Sequence, residues 1–229
     1  MRYFLRKNVI AIVLVILALA VAAWLWQQNQ ANPNNLQRVY LLSDFSSVAG
    51  KDGYQEQVDA LNKSIEFLRQ ATSTVEKFEI YDNWNEVGLR KLSLEDYRGA
   101  VAAWEQAIGI NEKSPLAFAN IANVYKSFLQ DYPKAENYYL QAISKNETSE
   151  PYFPDYEGLA DLYSNYYTEK SSQVEVLMLS GLDKAQALQN RVTFMIYLVN
   201  YYKLRDVEKS DYYRQQVLAI DPSLESLLP

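Results

Sequence analysis

The sequence predicts an all-α fold in which one membrane-spanning helix is followed by a stack of packed helical hairpins. Three observations carry that expectation. The 229 residues include 19 Tyr but only 7 Gly and 7 Pro, a balance that suits long packed helices better than a turn-rich β protein. Residues 9–26 form one unbroken apolar run. Beyond residue 80, aromatic and small residues recur together at intervals of 34 to 38 residues.

The inventory also excludes function classes. With 28 acidic against 22 basic side chains, the chain carries a net charge of -6, which argues against a nucleic-acid partner held by counterion release. Cys and His are both absent. Thiolate nucleophiles, imidazole bases and Cys/His zinc sites therefore fall away, and neither cofactor nor metal is expected.

Residues 1–26 read as a cytoplasmic tip and an anchor. The run VIAIVLVILALAVAAWLW from Val9 to Trp26 would span about 27 Å as a helix, close to the ~30 Å hydrocarbon layer. Arg2, Arg6 and Lys7 precede it and the next charge is Arg38, so the positive-inside rule keeps the N-terminus cytoplasmic and sends the rest across. Trp24 and Trp26 stand at the exit, where indoles favour the headgroup level. The alternative is a cleavable signal peptide, for which Ala18/Ala20 and Ala22/Ala23 offer small residues, and a secreted domain. Beyond residue 26 there are 19 basic against 28 acidic side chains, a balance near -9.

Residues 27–53 are expected to form a polar flexible linker, opening with QQNQANPNN and closing at the Asp52-Gly53 turn signal. Residues 54–80 should hold one or more flanking helices. Val58, Leu61, Ile65 and Leu68 recur at helical spacing, and Ser73 with Glu76 has the form of a capping box. Asn62-Lys63-Ser64 and Asn146-Glu147-Thr148 are glycosylation sequons if the source is eukaryotic.

Residues 81–222 divide into four copies of one pattern. The first has Trp84, Val87 and Gly88, then Tyr97, Ala100, Trp104, Ala107 and Ile108. The second has Phe118, Ile121, Ala122 and Tyr125, then Tyr132, Ala135, Tyr139, Ala142 and Ile143. The third runs Tyr156, Leu159, Ala160 and Tyr163, a longer loop, then Val174, Met178, Gly181 and Leu182. The fourth runs Phe194, Tyr197, Leu198 and Tyr201, then Val207, Ser210, Val217, Leu218 and Ile220, closing on Asp221-Pro222. This pattern resembles the tetratricopeptide repeat, W-x2-L-G-x2-Y then A-x3-F and a closing Pro, with Lys91 departing where an aromatic is usual. The resemblance implies paired antiparallel helices stacked into a right-handed superhelix, with the aromatic set buried as core.

The resemblance also implies a concave groove lined by the first helix of each copy. Its expected residues are Asn85, Leu89 and Leu92, then Ala119, Asn123 and Lys126, then Glu157, Asp161 and Ser164, then Met195, Val199 and Tyr202. Leu89 and Ala119 stand where family members that clamp a C-terminal carboxylate need polar groups. The tail, residues 223–229, is short and apolar at Leu224, Leu227 and Leu228, so it is expected either to cap itself or to meet a second copy of the chain or a partner.

Catalytic motifs fail one by one. Gly50-Lys51 is followed by Asp52 where a phosphate loop needs Ser or Thr, and Phe45 takes the place of its first Gly. Glu95-Asp96 falls in an expected interhelix turn. The expected function is not enzymatic: a membrane-anchored scaffold, assembly factor or chaperone-like adaptor of tetratricopeptide type on the extracytoplasmic side, periplasmic or at the cell surface, binding a protein or peptide. The alternatives are a self-assembling envelope-organising protein and, more remotely, a secreted solenoid enzyme.

Overall fold

The computed structural model describes residues 35–71, 75–146 and 150–228, and these divide into two compact units on either side of residues 103/104. Among the described residues all regular structure is helical and there is no strand. The expected anchor at residues 9–26, and Ser73 of the expected capping box, lie outside the described residues. Within them no helix is long and apolar enough to cross a membrane.

In the first unit, α1 (Gln55–Gln70) buries Val58, Leu61, Ile65 and Leu68, the stripe its spacing predicts. The next helix, α2 (Lys77–Ser93), is continuous through the boundary expected at residues 80/81. Tyr81 and Trp84 are both buried on it, and nothing between them breaks a helix. Helix α3 (Tyr97–Ile110) begins in this unit and buries Ala100, Val101 and Ala103 there.

Residues 35–53 correct the expected flexible linker. Tyr40, Phe45 and Val48 are buried, and the Tyr40 and Phe45 rings stack 5.7 Å apart. Asn62 on α1 clamps this segment in both directions: the Tyr40 amide donates to Asn62 Oδ1 at 2.8 Å, and Asn62 Nδ2 donates to the Tyr40 carbonyl at 2.8 Å. Arg69 Nε adds a bond to the Leu36 carbonyl at 2.8 Å. Three buried apolar side chains among polar ones suffice because α1 supplies partners for the segment's backbone groups. Asn62 Nδ2, the nitrogen of the first sequon, is engaged in this clamp. Asn62→Ala is expected to lower the stability of the full-length protein by about 1–3 kcal/mol. It should also expose residues 35–53 to limited proteolysis, which a digestion time course would show.

Lys91, the departure from the aromatic pattern, is buried at 1% exposure. Its ammonium lies 4.9 Å from the Tyr40 ring centroid and is bonded to Tyr40 Oη at 3.2 Å and to Asp96 Oδ2 at 3.3 Å. The missing aromatic is thus supplied from residues 35–53.

The second unit takes up α3 from Trp104 and continues with α4 (Pro115–Val124), α5 (Tyr132–Lys145), α6 (Phe153–Asp161), α7 (Gln173–Lys184), α8 (Leu188–Tyr202) and α9 (Val207–Ile220). Helices α4 and α6 each run on into a π-helical turn, Tyr125–Leu129 and Leu162–Tyr166. Contacts show the pairing to be antiparallel: Lys145 lies over Phe118 and Lys134 over Tyr125, so α5 runs back along α4. Tyr139 meets Gly158 and Tyr132 meets Tyr166, so α6 runs back along α5.

Two glycines let helices of this unit approach closely. A Cβ on Gly158 would stand 2.5 Å from Tyr139 Cε1, and one on Gly181 would stand 2.3 Å from Phe194 Cε1, far inside van der Waals contact. Around these seams Tyr139, Tyr156, Leu159, Met178, Phe194 and Leu198 form one core cluster. A smaller cluster joins Val192, Met195, Val217 and Leu228. The C-terminal turn Pro222–Leu227 therefore caps its own end, with Leu228 buried and Leu224 packed beside it.

Hairpin turns reuse one device. Glu95 and Gln130 both adopt left-handed backbone (φ 60° and 54°), and each is followed by an Asp that caps the next helix. Asp96 accepts from the Gly99 amide at 2.9 Å and Asp131 from the Lys134 amide at 3.3 Å; Asp206 repeats the cap before α9, on the Lys209 amide at 3.0 Å. Glu95-Asp96 is thus a turn and a cap.

Several side-chain contacts between helices fall at a nearly constant sequence separation. Glu105 accepts from Tyr138 Oη at 3.2 Å, Lys126 pairs with Asp161 at 2.6 Å, Glu136 with Lys170 at 2.6 Å and Glu175 with Lys209 at 2.8 Å, separations of 33, 35, 34 and 34 residues. In the first unit Gln57 and Arg90 meet at 2.8 Å across 33 residues.

Candidate functional site

The second unit carries a groove of about 700 Å³ formed by α4, α6 and α8 with the ends that extend them. Pro154, Glu157, Gly158 and Asp161 line it from α6 at spacings of three, one and three, one face of that helix. The π turn adds Ser164 and Asn165, and Asn123 and Lys126 face the groove from α4 and its own π turn. Tyr197, Asn200 and Tyr201 enter from α8, and Arg205 follows just beyond it.

Five expected residues, Asn123, Lys126, Glu157, Asp161 and Ser164, are thereby brought together. Lys126 Nζ donates to Asp161 Oδ2 at 2.6 Å and Asn165 Nδ2 donates to Asp161 Oδ1 at 2.7 Å. Partial burial pushes the Asp161 carboxyl up, but those two donors outweigh it and hold the group below its ordinary value. Asn123 Oδ1 accepts the Tyr139 hydroxyl at 2.6 Å, which ties the groove wall to the core. Burial, assisted by the Glu157 charge, raises the Tyr197 phenol, so it stays a neutral donor. The Arg205 guanidinium lies 4.3 Å over the Tyr201 ring and donates to the Tyr201 carbonyl at 2.7 Å.

The other expected residues lie elsewhere. Met195 and Tyr202 are buried, at 1% and 3% exposure, and so is Val199: this corrects their assignment to the groove. Met195 belongs to the smaller cluster, and Tyr202 stacks on Tyr213 and bonds Glu175. The buried quartet Tyr156, Leu159, Ala160 and Tyr163 of α6 and its π turn corresponds to Met195, Leu198, Val199 and Tyr202 of α8, one residue beyond the register that anchoring on Phe194 implies. Tyr197, Asn200, Tyr201 and Arg205 are what that slip hides, and Tyr201, expected as core, is a groove residue.

In the first unit Asn85 is buried, which corrects its reading as a groove residue. Its Nδ2 donates to the Tyr81 carbonyl at 2.9 Å, while its Oδ1 is buried without a hydrogen-bond partner among the described residues. Leu89 on the same helix is 44% exposed and Leu92 is half-buried.

The groove offers two cations, two carboxylates, three carboxamides and two phenol rings, a set suited to recognising backbone and mixed side chains of another chain. Among the described residues no cluster of three His, Cys, Asp or Glu side chains could hold a metal ion. Neither a protein-family model nor a curated protein matches this chain.

Proposed function

We propose that this chain is a membrane-anchored protein of tetratricopeptide-repeat type whose extracytoplasmic helical hairpins bind a protein or peptide partner. The observation that carries the reading is the groove of α4, α6 and α8, where charged, amide and phenolic groups converge on one surface. The polar contacts at 33 to 35 residues support a repeated hairpin unit of that length. The apolar run at residues 9–26 supplies the anchor, and Arg2, Arg6 and Lys7 supply its orientation.

The test is affinity purification of the full-length protein from crosslinked membranes, intact against the triple substitution Asn123→Ala, Lys126→Ala, Asp161→Ala. A circular dichroism melt of the variant must first show that it remains folded. The partner is expected to be lost from the variant by tenfold or more. Equal recovery from both proteins would remove the groove from partner binding, and recovery of only a second copy of this chain would favour self-assembly.

A further inference from the structure

A second concavity, of about 440 Å³, opens at the start of α4 and α6 and faces Asn190 of α8. Its mouth is apolar: Pro115, Leu116 and Ala119 from α4, with Pro151 and Tyr152 before α6. Leu116 and Tyr152 are 51% and 58% exposed, so large apolar surface is left in water at its rim. Asp155 lines the same space and is only 2% exposed.

Asp155 has no cation within 4.0 Å among the described residues, although the other deeply placed charges are paired. Lys91 meets Asp96, Lys126 meets Asp161, and Glu136 meets Lys170. Its hydrogen bond comes from Asn146 Nδ2 at 3.1 Å, a neutral donor. The remaining polar lining, Asn146, Glu150 and Asn190, carries acceptor oxygens, and among the described residues no Lys or Arg lines the space. Glu150 is already committed to the start of α8, accepting from the amides of Gln186 and Ala187 and from Asn190. Asp155 is thus the carboxylate with unused capacity, at the end of an apolar entrance.

We propose that this pocket takes a lysine side chain from a protein partner, its methylene stem lying along Leu116 and Tyr152 and its ammonium meeting the Asp155 carboxylate. A lysine is apolar for four carbons and cationic at the tip, the same order in which the pocket presents its surfaces. Burial strengthens the pairing, because the ammonium meets its counter-charge away from bulk water. The acidic balance of the chain favours a basic partner as well. This pocket is separate from the groove between α4, α6 and α8, apart from the elements they share, and stands whether or not that groove binds.

The test uses full-length protein in nanodiscs and two soluble probes, acetyl-Gly-Leu-Lys-Leu-Gly-amide and the same peptide with norleucine in place of lysine, with binding followed by saturation-transfer NMR. The lysine peptide is expected to bind at least tenfold more tightly, with transfer strongest at its side-chain methylenes. Asp155→Asn should abolish that preference, and Leu116→Gln at the exposed rim should weaken both peptides several-fold. Equal binding of the two peptides, retention of the tenfold preference in Asp155→Asn, or unchanged binding in Leu116→Gln would each overturn the assignment.

Discussion

Replacing Tyr139 by alanine is expected to destabilise the second unit by about 3–5 kcal/mol, the range for emptying a buried aromatic site. The ring is 1% exposed, lies against the backbone of Gly158 and sits in the main core cluster. For a unit of this size the thermal midpoint should fall by roughly 10 °C or more. Tyr139→Phe removes only the hydroxyl and its bond to Asn123, which corresponds to about 1 kcal/mol. The pair also couples with Gly158. Gly158→Ala places a methyl against the ring and should cost about 1–3 kcal/mol in the intact protein, yet little or nothing once Tyr139 is alanine. Denaturant melts of the two single variants and the double variant measure this directly. Additive losses would show that the ring does not hold that seam.

Asp155→Asn is expected to stabilise the protein above neutral pH. Burial pushes the folded-state carboxyl up to about 6 from an ordinary value of 3.8, with the Asn146 bond opposing it. Between those values the folded chain binds more protons than the unfolded one, so this group favours folding most below about pH 4 and loses that contribution as pH rises through about 6. About two units at roughly 1.4 kcal/mol each set an upper bound near 3 kcal/mol. At pH 7.5 the asparagine variant should therefore be more stable by about 1–3 kcal/mol, and at pH 4 the two proteins should be close to equal. Denaturant melts at both pH values isolate the effect, because every other titrating group is common to both chains. A variant less stable at pH 7.5 would mean that the ionised carboxylate is well accommodated in the unliganded fold.

Much of the helical organisation is legible because it is periodic. Val58, Leu61, Ile65 and Leu68 mark α1 by spacing alone, and the paired small and aromatic residues from Ala100 to Tyr163 mark successive hairpins. Register in α8 is not legible in the same way. Phe194, Met195, Ile196, Tyr197, Leu198 and Val199 follow one another without a polar residue, so no stripe separates a core face from a groove face. The aromatic Phe194 and the equally apolar Met195 compete for one position, and choosing the aromatic moves Met195 and Tyr202 to the wrong side. Asn200 and Arg205, polar and exposed, are the signal that fixes the phase.

Residues 35–53 escape for another reason: their order depends on Asn62, Arg69 and Lys91, all on later helices, and local composition carries no trace of those partners. Asp155 is similar. In sequence it is an acidic residue in the first turn of a helix, which the helix dipole would accommodate. Only the fold reveals that it is deeply buried beside an apolar mouth, with no counter-charge among the described residues.

The most direct test of partner recognition by the groove is site-specific photocrosslinking in intact membranes. A photoreactive residue would replace Asn200, exposed in the groove, and separately Gln215, exposed on α9 outside it. A protein adduct at position 200 that is absent at position 215 and abolished by Lys126→Ala with Asp161→Ala is the predicted result. Adducts of equal yield and identity at both positions, or none at 200 with a strong one at 215, would contradict recognition through this surface.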